Sequence, residues 1–261
     1  MNLDDAYANS AYIPDGETYF ARWASDAGLF REKHADKVLG VPYGKEPYQT
    51  YDLFKTKNNA KGTIVFVHGG YWMACSPSDF SHVAQGAVSA GYDCVLPTYS
   101  LAPRARISEM TAEIRSAITA VANASVGPIY LVGHSAGAHL VARMVCQDIQ
   151  ADWQARVKRV MPISPLSDLL PLMQTSMNET LMLDAEEAER ESPVMHRTHK
   201  IPVTVWVGGD ERPAFLDQAH WLAQAWAADH VIEPARHHFD VIDGLIDAES
   251  AMMRALLDPA S

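Results

Sequence analysis

One serine of this chain lies in a setting typical of a catalytic nucleophile. Gly133, Ser135 and Gly137 form a G-x-S-x-G pentapeptide between an apolar, strand-like segment and a helix-like segment. The two glycines permit a turn tight enough to lift the Ser135 side chain clear of the backbone, at a helix N-terminus where the helix dipole favours negative charge. A serine in such a turn can also be a simple helix cap. The complete pentapeptide in this context favours the nucleophile.

A serine hydroxyl needs a base to take its proton, and the base needs a carboxylate to orient it. Asp210 supplies a candidate acid, because an apolar strand-like run passes through Gly208 and Gly209 onto it. A carboxylate after a Gly-Gly turn can serve the turn alone, but its place after a late strand favours the acid role. Glu211 is the neighbouring alternative, which we expect to turn outward.

Two adjacent histidines near the C-terminus compete for the role of base. We predict His238 over His237, because His238 precedes Phe239, an apolar residue that can anchor the loop. A third histidine, His134, lies inside the pentapeptide. We expect His134 to pack beneath the turn and keep it as a candidate substrate contact. The predicted triad is therefore Ser135, Asp210 and His238.

Attack by a serine on a carbonyl places negative charge on oxygen, which backbone N–H groups can stabilise by roughly 100- to 1,000-fold in rate each. The N–H of Ala136, directly after the serine, is one predicted donor. Gly69, Gly70 and Tyr71 follow an early apolar strand, and glycines let the backbone lie against a substrate. We predict that Tyr71 and Trp72 form the wall of the site, the alternative being that they are core aromatics.

Short apolar runs alternate with helical patterns along the chain, which predicts right-handed βαβ units in a mostly parallel, doubly wound α/β sheet with helices on both faces. The predicted strands are 63–68, 93–99, 129–133, 159–164, 203–209 and 230–235, and the predicted helices are 78–90, 106–122, 136–150, 213–228 and 247–257.

The domain organisation predicted from these patterns is a single domain over residues 1–261, with an N-terminal extension over about 1–37. Residues 165–199 are polar with weak periodicity, so we expect a short, cap-like insertion over the C-terminal edge of the sheet. Ligands of open α/β sheets bind at that edge.

Composition excludes several classes of protein. The chain has 261 residues, 48% of them hydrophobic, and a net charge of −11 without a Lys/Arg-rich face. We therefore expect a small-molecule substrate, with neither nucleic acid nor a membrane as partner. The acidic N-terminus and the absence of a long apolar run favour a cytoplasmic protein. The three cysteines match no zinc pattern, so no metal or cofactor is expected. The oligomeric state stays open, with a homodimer among the options.

The stretch from His68 to Trp72 reads HGGYW, and it resembles the signature of the α/β-hydrolase-type kynurenine formamidases, or arylformamidases. These enzymes are related to the hormone-sensitive-lipase esterases, whose HGGG loop has glycine where this chain has Tyr71. Further similar stretches follow in the same order: VPYG (41–44), YDLF (51–54), YSLAP (99–103), GHSAG (133–137), LDAEEAERESP (183–193) and HHFD (237–240).

The resemblance covers most of the chain from about residue 38 and implies the α/β-hydrolase fold, the triad of Ser135, Asp210 and His238, and an oxyanion loop over 69–71. It implies hydrolysis of arylformamides, with N-formylkynurenine the leading substrate. A general short-chain carboxylesterase is the alternative enzyme, and a non-catalytic ligand-binding protein on a hydrolase scaffold is the alternative outside enzymes. No arginine stands out as a clamp for the substrate carboxylate; Arg104, Arg106 and Arg212 are candidates by location.

Overall fold

An eight-stranded sheet forms the centre of the molecule in the computed structural model, which describes residues 3–258. Both ends of the predicted 1–261 domain thus lie outside the described residues. The strand order is β1-β2-β4-β3-β5-β6-β7-β8; β2 runs antiparallel to both of its neighbours, β1 and β4, and the other neighbouring strands pair in parallel. The strands are β1 (Lys37–Pro42), β2 (Thr50–Phe54), β3 (Thr63–Val67), β4 (Asp93–Pro97), β5 (Ile129–His134), β6 (Val157–Ile163), β7 (Thr204–Gly208) and β8 (Asp229–Glu233).

Helices cover both faces of this sheet, and each face has its own buried hydrophobic cluster. The α-helices are α1 (Leu3–Ala6), α2 (Tyr19–Lys33), α3 (Pro77–Phe80), α4 (Ala84–Ala90), α5 (Ile107–Ala124), α6 (Ala136–Arg143), α7 (Asn178–Leu181), α8 (Ala185–Glu191), α9 (Pro213–Trp226) and α10 (Ala251–Leu257). Short 3-10 helices span Ser10–Tyr12, Gly16–Thr18, Ser81–Val83, Asp152–Arg156, Leu170–Gln174, Pro193–Met195 and Val241–Leu245.

The predicted fold class is confirmed, and the six predicted strands all occur with small shifts at their ends. Every residue of β3 and β5 is buried, as expected for parallel strands covered on both faces. The pattern of apolar runs does not predict β1 or the reversed strand β2. β1 is an edge strand whose Val38 and Leu39 are exposed, so it lacks the buried apolar pattern that marks the other strands.

Two of the helix predictions are too long by four residues or more. The helix predicted over 136–150 ends at Arg143. Beyond it, the chain turns, and Cys146 forms an isolated antiparallel β-bridge with Thr198. The helix predicted over 247–257 begins only after Ser250, whose side chain accepts a hydrogen bond from the Met253 N–H at 3.0 Å. Within residues 3–258, no helix combines the length and apolar character needed to cross a bilayer.

Candidate active site

Ser135 occupies a strained turn between β5 and α6. Its backbone has φ 54° and ψ −118°, outside the regions that non-glycine residues favour. A Cβ at Gly133 would lie 2.2 Å from the Gly137 oxygen, and a Cβ at Gly137 would lie 2.0 Å from the Val67 oxygen. Both glycines of the pentapeptide are therefore required for the close approach that produces this turn.

His238 is held by a buried carboxylate. Its Nδ1 lies 2.6 Å from Glu211 Oε2, and both side chains are almost fully buried. The other carboxylate oxygen, Oε1, accepts hydrogen bonds from the Gly208 N–H at 2.8 Å and the Ser164 hydroxyl at 2.5 Å. Because a carboxylate accepts, Nδ1 carries the proton and leaves Nε2 of His238 available as a base.

The structure corrects the predicted acid, because Glu211 and not Asp210 contacts His238. Asp210 is exposed, and its N–H donates to the Arg236 carbonyl at 2.9 Å. The Glu211 N–H turns back onto the Gly208 carbonyl at 3.3 Å, which directs the Glu211 side chain inward instead of outward. The extra methylene of glutamate then spans the distance to the imidazole.

The two other candidate histidines support the loop that carries His238. His237 Nε2 lies 3.0 Å from the Tyr19 hydroxyl, and its Nδ1 accepts from the Phe239 N–H at 3.2 Å. His134 packs beneath the turn as expected: its Nε2 lies 2.8 Å from the His238 carbonyl and its ring 4.7 Å from the His238 ring. Burial, with His238 nearby, lowers the pKa of His134 well below its ordinary value, so the ring is neutral.

The loop after β3 lies against the nucleophile. A Cβ at Gly69 would lie 3.0 Å from the Ser135 Cβ, a tighter contact than side chains usually make, so glycine favours this close approach. Tyr71 has a positive φ of 51°, an uncommon conformation for a large residue. Among residues 3–258, no hydrogen bond engages the N–H groups of Gly70, Tyr71 or Ala136. These groups are thus available as the predicted oxyanion donors.

Trp72 is not part of the wall of the site, contrary to prediction. Its side chain is fully buried, lies 5.2 Å from the ring of His139 on α6 at a near-perpendicular angle, and does not line the cavity at Ser135. With a φ of 58°, the backbone at Trp72 continues the left-handed turn begun at Tyr71, and the indole lies in the core. Tyr71 alone of this pair lines the cavity.

A cavity of about 490 Å³ unites Ser135, His238, His134 and the 69–71 loop. Phe20, Trp23, Phe80 and Phe239, which we call the aromatic wall, also line it. The Trp23 ring lies 5.1 Å from Phe80 and 5.3 Å from Phe239, and the Phe20 ring lies 5.7 Å from Phe239. No hydrogen bond joins Ser135 Oγ to His238 within the described chain; such contacts are commonly loose without substrate.

The N-terminal extension supplies much of this cavity, a contribution that the sequence did not predict. Beside Phe20 and Trp23, the extension contributes Tyr7, Asn9 and Glu17 to the lining. The spacing of Trp23, Ala27 and Phe30 is a helical signal that could have revealed α2. Nothing in that spacing indicates that Trp23 lines the same cavity as Ser135, 112 positions later.

The predicted insertion over 165–199 makes a smaller contribution to the cavity, namely Ser176 and Met177. Its helix α8 is tied to the body of the protein by Glu187, which accepts hydrogen bonds from Arg106 Nε at 2.6 Å and the Ser108 hydroxyl at 2.7 Å. Glu191 of the same helix pairs with buried Arg143 at 3.2 Å.

None of the three arginine candidates lines the described cavity. Arg106 pairs with Asp184 and Glu187, Arg212 pairs with Asp5, and Arg104 lies 3.8 Å over the Tyr48 ring.

Together the fold and this site define an α/β serine hydrolase. The chain belongs to the α/β-hydrolase fold family, whose model matches residues 64–231.

Two kynurenine formamidases from fish are similar to this chain over most of its length. The one from Salmo salar is 27% identical over 240 residues, covering 85% of this chain and 82% of the relative. The one from Danio rerio is 28% identical over 238 residues, covering 84% and 80%. These values support common ancestry with formamidases at a considerable distance.

Among solved structures, a putative thioesterase from Silicibacter sp. tm1040 superposes with a TM-score of 0.97 at 50% identity, over 99% of this chain and 100% of that one. An esterase from Pyrobaculum calidifontis superposes with a TM-score of 0.73 at 19% identity, over 92% and 90%, which shows the shared fold alone.

Proposed function

We propose that this protein is an arylformamidase, which hydrolyses N-formyl derivatives of aromatic amines by way of a formyl-enzyme, and that N-formylkynurenine is its leading substrate. Ser135 Oγ attacks the formyl carbon while His238 Nε2 takes the hydroxyl proton, and Glu211 stabilises the resulting imidazolium. The N–H groups of Gly70, Tyr71 and Ala136 stabilise the oxyanion.

The imidazolium then returns the proton to the leaving nitrogen, and the arylamine departs. Water, activated in turn by His238, attacks the formyl ester on Ser135 and releases formate. The Ser135 hydroxyl is regenerated at the end of this cycle, and the reaction consumes one water for each amide bond broken.

The aromatic wall is the observation that carries this proposal. It places four aromatic side chains along the cavity that contains Ser135, where they can contact the aryl part of a substrate. Offset and edge contacts between aromatic rings are worth about 0.5–1.5 kcal/mol each beyond the burial of their area. The similarity to two kynurenine formamidases supports the same class of substrate.

The position of Tyr71 favours substrates that have a small acyl group. Its hydroxyl donates to the Tyr7 carbonyl at 2.5 Å and accepts from Asn9 Nδ2 at 3.3 Å, so the ring is fixed beside the oxyanion loop. A formyl group carries only hydrogen beyond its carbonyl carbon and needs little room there. Larger acyl groups have to displace a side chain that is anchored at its far end.

A matched series of N-formyl, N-acetyl and N-butyryl anilides, measured beside the corresponding phenyl esters, tests the proposal. We expect kcat/KM to be highest for the formyl compounds and to fall about tenfold or more with each step in acyl size. N-formylkynurenine should be hydrolysed at least as efficiently as formanilide. If butyryl esters are hydrolysed as efficiently as the arylformamides, the proposal is wrong.

The variant Ser135→Ala is the control for this series. It should lose labelling by a fluorophosphonate probe together with the hydrolysis of every substrate. Labelling that persists in the variant would place the nucleophile elsewhere.

A short-chain esterase or thioesterase is the second candidate, because the solved relative at 50% identity is described as a putative thioesterase. The same nucleophile, base and oxyanion donors cleave esters and thioesters. The series above separates the two functions, since an esterase would tolerate acetyl and butyryl groups.

A further inference from the structure

Asn9 contributes a buried amide to the wall of the catalytic cavity, on the segment between α1 and the first 3-10 helix. The residue is only 7% exposed, and it lines the cavity together with Ser135 and His238. Asparagine is favoured before a helix because its side chain can cap the free N–H groups. Asn9 makes no such side-chain bond to the 3-10 helix that follows it, so capping does not explain the residue.

The hydrogen bonds around Asn9 fix the orientation of its amide. The Tyr71 hydroxyl donates its proton to the Tyr7 carbonyl at 2.5 Å, so it can only accept from Asn9. The atom of Asn9 that lies 3.3 Å from this hydroxyl must therefore be Nδ2, a donor. The remaining atom, Oδ1, is an acceptor, and it is buried without any hydrogen-bond partner within the described chain.

A buried acceptor without a donor is unfavourable, and native proteins seldom retain one without a reason. A ligand in the cavity can supply the missing donor. We propose that Asn9 Oδ1 accepts a hydrogen bond from an N–H group of the substrate, so that the site selects nitrogen-bearing substrates over esters. This inference rests on the proposed function for the identity of those substrates, and Asn9 is then a specificity residue of the same site.

Two N–H groups of N-formylkynurenine could be the donor: the amide N–H and the ammonium of its amino-acid part. Formanilide has only the amide N–H, and phenyl formate has neither group. All three substrates need the same nucleophile and oxyanion donors. An effect of Asn9 on the Tyr71 loop should therefore change kcat/KM for the amides and for phenyl formate alike. It cancels when kcat/KM for an amide is divided by kcat/KM for phenyl formate.

We expect Asn9→Ala to lower this ratio about tenfold, the effect of one buried hydrogen bond. A fall for both amides identifies the amide N–H as the donor, and a fall for N-formylkynurenine alone identifies the ammonium. Asn59→Ala, which removes an exposed asparagine outside the cavity, should leave both ratios unchanged. If Asn9→Ala does not fold, Asn9→Ser is the smaller change, and its hydroxyl is too short to replace the amide oxygen.

An equal loss on phenyl formate and on both amides would overturn the inference, since Asn9 would then act only through Tyr71. Failure of the proposed function is a separate result, in which the unmutated enzyme hydrolyses esters but neither amide. In that case N-formylkynurenine is used as an inhibitor of ester hydrolysis. A tenfold rise in its inhibition constant in Asn9→Ala would support the inference, and an unchanged constant would overturn it.

Discussion

Glu211 and Asp210 are adjacent in sequence, but Glu211 is buried and Asp210 is exposed to solvent. Glu211 is buried and its two oxygens accept three hydrogen bonds, from His238, Ser164 and the Gly208 N–H. Asp210 is exposed on the other side of the same turn. A carboxylate after a strand can be recognised from sequence, but which of two neighbours turns inward depends on the path of the backbone.

Glu211→Gln should therefore lower kcat by about 10³- to 10⁴-fold, because a neutral amide can hold the wrong tautomer of His238 and cannot stabilise its cation. Asp210→Asn, the matched change one residue earlier, should stay within about threefold of the unmutated enzyme, as is usual for an exposed substitution. Steady-state kinetics on formanilide measures both. A larger loss in Asp210→Asn would restore Asp210 as the acid.

The paired histidines provide a second matched comparison. His238→Ala removes the base and should lower kcat by several orders of magnitude, on the order of 10⁴-fold or more. His237→Ala removes bonds to Tyr19 and to the backbone of Phe239, so it should lower thermal stability while retaining most of kcat. Thermal unfolding and kinetics of both variants separate the roles. Comparable losses of kcat would contradict the assignment of His238 alone.

At the scale of elements, the N-terminal extension forms one side of the cavity, and its residues 3–12 are held by contacts with Arg212 and Gln218. Arg212 Nη2 donates to the Asp5 carbonyl and carboxylate, each at 3.0 Å, and its guanidinium lies 3.6 Å over the Tyr12 ring. The Tyr7 hydroxyl accepts from Gln218 Nε2 at 2.9 Å. These contacts connect the extension to α9 and to the residue before it.

Arg212→Ala should loosen the extension and raise KM about fivefold, since the ion pair and the ring stacking that it removes are together worth on the order of 1 kcal/mol. The extension should also become more sensitive to limited proteolysis. Arg104→Ala is the control, because Arg104 stacks on Tyr48 in the same manner away from the cavity. A fall in kcat with KM unchanged would mean that Arg212 acts on neighbouring Glu211 instead.

The elements that sequence could predict are those with a strong local signal. The buried strands, the serine turn and the glycine loop each follow from residues that are close in the chain. The prediction that Trp72 lines the cavity is wrong because the two successive positive φ angles, at Tyr71 and Trp72, turn its side chain into the core. No local sequence pattern indicates such a turn. The packing of α2 beside Phe239 joins distant parts of the chain, which no local pattern encodes.

At the scale of the whole molecule, several histidines are buried in the neutral form. Burial lowers the pKa of His68 and of His82 to about 4 and that of His139 to about 3. In the unfolded chain the same groups titrate near 6.5. As the pH falls below about 6.5, the unfolded state takes up protons that the folded state cannot, so the folded state loses stability.

The free energy of unfolding should thus decrease by about 1 kcal/mol per buried histidine between pH 6.5 and 5.5. Urea unfolding at pH 7.5, 6.5 and 5.5 measures this slope. His82→Leu should reduce the slope by the contribution of one histidine, whatever it does to stability at pH 7.5. An unchanged slope in that variant would show that His82 is not a source of the pH dependence.

Tyr19 and His237, whose side chains meet beside the cavity, are separated by 218 positions in the chain. A ribosome synthesises α2 long before Phe239, so a nascent chain contains Phe20 and Trp23 of the aromatic wall before the last member of that wall exists. Closing so long a loop is also a late and slow event in refolding from denaturant. Hydrolytic activity thus reports completion of the whole chain, whereas helix content can recover before any substrate is turned over.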